Sequence, residues 1–142
     1  MKFKFSLAPV LKVRKHQEKL QKQKLAEQVS KKQKISEVRD DVQGKLKTFL
    51  EHSEDNTVEN IHMIRRRSAH LQQVHQKMDK LSRELDQAEV RVTKEREKLA
   101  AAHKNLHILE KVREFEQSLF SEQMAKDEQK FMDEIATQSF SR

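Results

Sequence analysis

From Leu71 to Leu109, apolar side chains recur at alternating steps of three and four: Leu71, Val74, Met78, Leu81, Leu85, Ala88, Val92, Leu99, Ala102, Leu106 and Leu109, with Glu95 as the one break. That period draws a single stripe along a helix, and the stripe can be buried only against a second helix. The first half carries a sparser seam of the same period through Leu7, Leu11, Leu25, Ile35, Val42, Leu46 and Phe49. Arg14, Glu18, Gln21, Gln28, Lys32 and Arg39 occupy the core-register positions between them. A seam that polar is weak alone, so the richer stripe is its predicted partner.

Little in the chain can interrupt two helices. Gly and Pro occur once each in 142 residues, and Tyr, Trp and Cys are absent. Turn formers, strand aromatics and disulfides are thereby nearly excluded. A composition of 37% charged and 35% hydrophobic residues suits an elongated helix pair better than a globule. The predicted fold class is all-α, an antiparallel two-helix coiled-coil hairpin forming a single domain over residues 1–142.

The only cluster of Ser, Asp, Asn and Thr, within 51–57, places the corner at about 53–57. Asn56 and Glu59 there have the spacing of a capping box. Helix one is expected at about 9–52, with Ser6 or Ala8 as cap and Pro9 in the first turn, where its missing N–H does no harm. Gly44 is the weak point inside it. Helix two is expected at about 57–137. At 1.5 Å per residue the two are roughly 65 and 120 Å long, so helix two must project. Doubling back at the corner puts Pro9 near residue 100. Ile108, Val112, Phe115, Leu119 and Phe120, then Phe131 and Ile135, are expected on the projection as a contact for another chain.

Chemistry of the chain's own is not expected. One Gly and no G-x-x-x-x-G-K-[ST] run leave nothing to cradle phosphates. Ser, His and acids are plentiful, but a two-helix rod has no water-poor pocket to tune them, so the chain is read as no enzyme, without catalytic residues or cofactor. His103 and His107, four apart on one helix, lack the H-E-x-x-H context of a zinc site, and no metal is expected. Pro9 and the following Lys12, Arg14 and Lys15 break up the N-terminus as a signal peptide, and no run is apolar enough to span a bilayer. A soluble cytoplasmic protein is the expectation.

Charge is unevenly placed. Residues 1–34 hold eleven Lys or Arg against Glu18 and Glu27, whereas residues 110–142 hold five against eight acids. Lys12–Lys34 and Arg65-Arg66-Arg67 could meet phosphates, but no stacking aromatics interleave them, and nucleic acid is not the expected partner. From the residues alone, the competing function is a general coiled-coil scaffold or a basic, nucleic-acid-associated rod.

Both termini carry a more specific pattern. Phe5-Ser6-Leu7-Ala8-Pro9-Val10-Leu11-Lys12-Val13-Arg14, followed by Glu18, resembles the F-x-L-x-x-V-L-x-x-R opening of the FliJ family of flagellar type III export proteins. Leu109-Glu110-Lys111-Val112, Glu122, and Glu128-Gln129-Lys130-Phe131-Met132-Asp133-Glu134-Ile135-Ala136 are similar to its E-Q-K-x-x-D-E-x-A ending. The Tyr residues that many members carry near the corner are missing here, with Phe49 the aromatic in that region.

The resemblance implies a stalk-like motility protein that enters the hexameric flagellar export ATPase, contacts the export gate protein FlhA and escorts export chaperones. On it, Arg14, Glu18, Glu110, Arg113, Phe115, Leu119, Phe120 and Phe131 would face the ATPase ring. Val42, Leu46, Phe49, Leu50, Ile61 and Ile64, near the corner, would face the gate. Such a protein would sit in the cytoplasm, peripheral to the inner face of the cell membrane through its partners.

Overall fold

The computed structural model describes residues 1–54 and 60–141. Nearly all of them lie in two helices, α1 (Ala8–Glu54) and α2 (Ile61–Phe140), and the two pack against each other as an all-α helical hairpin. Pro9 falls in the first turn of α1, and the Leu7 carbonyl accepts the first bond of the helix from the Leu11 N–H at 2.9 Å. Ser6 does not cap, because its hydroxyl donates to the Glu116 carboxylate at 3.0 Å instead. At the corner, the Asn60 carbonyl accepts from the N–H groups of Met63 and Ile64, so α2 begins at Ile61 rather than at residue 57. The Asn56–Glu59 pair lies outside the described residues. α1 continues through Gly44, whose missing Cβ would meet nothing within 4 Å.

The chain divides into two compact units, Met1–Leu20 with Ala100–Arg142, and Gln21–Leu99. In the first, Phe3 packs against Phe120 with tilted rings and centroids 5.7 Å apart, Ser6 meets Glu116, and Glu18 lies 3.5 Å from His103. In the second, Gln21 meets Glu95, Lys32 lies 3.7 Å from Glu89, and Phe49 packs on His70 at 4.8 Å. Within each unit the partner number falls as the α1 number rises, so each pairing is antiparallel.

Apart from Leu7, which precedes α1 and is exposed, the heptad seams are where the sequence places them. Every seam position of α2 from Leu71 to Leu109, Glu95 included, is buried or half-buried, as is every one of α1 from Leu11 to Phe49. The innermost apolar side chains are Leu11 and Leu106 in the first unit and Leu81, Ala88 and Val92 in the second. A fully buried Leu or Val contributes about 1.5–3 kcal/mol, so a seam of a few such residues holds the helices only modestly.

The register differs from the expectation. Pro9 does not lie opposite residue 100, since Ser6 already reaches Glu116 and Phe3 reaches Phe120. The seam sets the register, and the corner is asymmetric about it. With Phe49 on His70, residues 61–69 of α2 precede that contact, while only 50–54 of α1 follow it. Ile108 to Phe120 therefore belong to the paired part. Beyond half-buried Met124, residues 125–140 are exposed throughout, and there α2 outruns its partner.

Candidate protein-binding site

The first unit holds all eight residues expected to face a ring, in three different settings. Glu18 is buried at 7% exposure on the α1 seam, with the His103 imidazole at its rim. Arg14 and Glu110 are half-buried on the seam margins, and the Arg14 guanidinium donates to the Gln17 side chain at 3.2 Å. Phe120 is half-buried against Phe3. Only Arg113, Phe115, Leu119 and Phe131 of the group stand exposed, with Phe115 and Phe131 both more than 60% accessible.

The apolar positions expected on the projection separate into two sets. Leu109, Val112, Glu116, Phe120 and Met124 carry the inward face onward, and beyond the start of α1 the exposed Phe131 and Ile135 prolong it. Ile108, Phe115 and Leu119 leave that face and are about half exposed or more. At 100° per residue, Phe115 and Leu119 lie roughly 160° around the helix from Phe131 and Ile135. The unit thus presents apolar side chains on two nearly opposed sides.

Around these residues the electrostatics are those of a solvated helix. Lys111 and Glu114 pair at 2.7 Å, and the contact raises the ammonium pKa and lowers that of the carboxylate. Among the described residues no group of three His, Asp or Glu could hold a metal ion. None of the helices in them is long and apolar enough to cross a membrane.

The second unit holds the residues expected near a gate. Val42, Leu46 and Phe49 are half-buried along the seam, whereas Leu50, Ile61 and Ile64 are exposed. Phe49 and His70, in contact with each other, line an open depression of about 410 Å³ together with Met63, Arg66 and His52. An open depression lined by aromatic and basic side chains suits a protein segment better than a small metabolite. Elsewhere in this unit the seam is polar. The Gln21 amide donates to the Glu95 carboxylate and, at 3.4 Å, to the Glu95 carbonyl, which holds that carboxyl below its usual pKa. The Arg39 Nε is buried without a hydrogen-bond partner.

The reading of the seams passed over Val10, Val13 and Leu20, exposed residues of the first unit that lie off the stripe. Scattered in sequence, they look like ordinary surface residues. Their alignment with Ile108 and Phe115 emerges only once the helices are paired.

No curated protein and no solved structure matches the chain. The model of one family, the flagellar FliJ proteins, does match, over residues 3–142. That match spans both terminal patterns and the seams between them. The chain therefore belongs to the flagellar FliJ protein family and is a component of flagellar protein export.

Proposed function

We propose that this protein is the stalk of the flagellar export ATPase, entering the hexameric ring with the unit that joins Met1–Leu20 to Ala100–Arg142. The observation that carries the reading is the placement of exposed apolar side chains on two nearly opposed sides of that unit, Phe115 and Leu119 on one and Phe131 and Ile135 on the other. A flat partner covers one such side. A partner that encircles the helices covers both.

Within this reading the candidate residues divide by role. Arg113, Phe115, Leu119 and Phe131 are accessible for direct contact with the ring. Glu18, Arg14, Glu110 and Phe120 sit on or beside the seam and act by fixing the helices that present the others. A stiff helix pair can bias which subunit interfaces of a ring close without performing the phosphoryl transfer itself. The depression near Phe49 and His70, with exposed Leu50, Ile61 and Ile64 close to it in sequence, serves the gate protein FlhA. Val42 and Leu46 support it from the seam. Escort of export chaperones, and a cytoplasmic position peripheral to the membrane through these partners, belong to the same reading.

The test is the ATP hydrolysis rate of the cognate export ATPase with the full chain, and with a chain ending at Met124 that lacks only the fully exposed tail. Stimulation by the full chain that falls sharply with the shortened one supports the stalk. A rate unmoved by either leaves a scaffold with no hold on the ring.

A further inference from the structure

One flank of the first unit is free of charge. On α1, the side chains one residue before and two residues after the buried Leu11 and Glu18 are Val10, Val13, Gln17 and Leu20. The corresponding positions of α2, from Ala101 to Leu119, are Ala101, Asn105, Ile108, Val112, Phe115 and Leu119. In an antiparallel pair these two sets fall on the same side of the helices, because reversing one helix also reverses the sense in which its residues wind away from the seam. Ten positions without a charge are unexpected in a chain that is 37% charged. In the second unit the same positions include Lys24, Glu27, Lys31 and Lys34 on α1. On its α2 they include Lys77, Lys80, Glu84, Arg91, Lys94 and Lys98.

We propose that this flank is the seat for a third helix, an amphipathic segment of a partner protein with an apolar stripe and acidic margins. Val10, Val13, Leu20, Ile108, Phe115 and Leu119 are each 42–64% exposed and together offer on the order of 500 Å² of apolar surface. That is below the roughly 800 Å² each copy contributes to a stable interface between two proteins, and it suits one helix laid along the groove. The sign of the margins follows from the border. The outward positions next to the flank are Pro9 and His16 on α1 and Lys104, Lys111 and Ser118 on α2, with no carboxylate among them; Lys111 is paired with Glu114, and Lys104 is in no ion pair among the described residues. A second copy of the chain would bring like borders together. A helix with Glu along its edges brings opposite ones. The inference stands on the geometry of this unit and does not need the stalk reading.

A synthetic helix supplies the probe: a fluorescein-labelled peptide as long as Ala101–Leu119, roughly 27 Å, with Leu at i, i+3, i+4 and i+7 and Glu at both margins. Fluorescence anisotropy with the full chain is expected to show saturable binding, on the order of tenfold weaker when Lys replaces the marginal Glu. Phe115→Asp with Leu119→Asp should abolish it, and Val13→Asp, on the other helix, should weaken it. Phe131→Asp, outside the flank, should leave it intact. Circular dichroism checks that each variant stays helical, and Phe115→Ser with Leu119→Ser replaces the Asp pair if it does not. Absence of binding, equal binding of the Lys-margined peptide, or undiminished binding by the Phe115 and Leu119 variants overturns the proposal. So does a dimer in sedimentation that Phe115→Asp dissolves, since the occupant is then a second copy.

Discussion

The two units of this protein differ in how they treat charge on one flank. Gln21–Leu99 buries Val92, Ala88 and Leu81 and carries lysines, arginines and glutamates along both flanks. The unit built from the two termini buries a carboxylate, Glu18, and leaves a flank of Val, Leu, Ile and Phe in water. Stability alone does not account for the apolar flank of the terminal unit, because an exposed apolar row gains nothing for the monomer. On the proposed reading, that flank is kept for recognition.

That contrast can be broken first at the most buried side chain. Val92→Asp, at a position only 2% exposed, should cost about 3 kcal/mol or more, seen as a large fall in the urea midpoint by far-ultraviolet circular dichroism. Phe115→Asp, 64% exposed in the other unit, should leave that midpoint unmoved. Equal destabilisation by the two would erase the distinction. Leu106→Ala, in the seam of the terminal unit, is expected to cost about 2 kcal/mol, near the lower end for buried leucines because a two-helix seam has water on both sides. A negligible loss would mean that the terminal unit is held by something other than its seam.

Smaller effects sharpen the picture. Gly44→Ala should raise stability by about 1 kcal/mol, since the new methyl meets no atom within 4 Å and the helix gains propensity. The smallest effect is one of pH. The Glu95 carboxyl is held below its usual pKa, first by the Gln21 amide, so its contribution is present above the pKa of the unfolded chain and is lost as pH falls through the folded value. Gln21→Leu should therefore lower the melting temperature slightly on the neutral plateau and leave it nearly unchanged once Glu95 is protonated, which flattens the acid limb. An unaltered acid limb would assign that loss to other carboxylates.

The parts of this architecture that could be read from residues alone are those governed by local periodicity. Steps of three and four from Leu71 to Leu109 identify the face of α2 that is buried, and Pro9 marks the first turn of α1. Register was not legible in the same way. It depends on which side chains meet across the seam, and the period that marks Phe49 as a seam residue does not say that it faces His70. The charge-free flank was hidden for a related reason. Val10 and Val13 lie nearly a hundred residues from Ile108 and Phe115, and neither group is notable until the antiparallel pairing sets them side by side. Ser6 shows the limit of local rules at a helix start, where a distant carboxylate outcompeted the backbone for its hydroxyl.

The polar seam also determines how the hairpin can fail. Sliding α2 by one heptad in one direction would set Glu18 against Glu110 and Lys32 against Arg96, like charge facing like in both units. Sliding it the other way would give Lys32 the hydroxyl of Ser82 and Gln21 the methyl of Ala88 in place of their present glutamates. A seam of uniform leucine would accept either slip with little penalty. Here each misalignment is marked by a contact that cannot be made, so the side chains that weaken the pairing also proofread it.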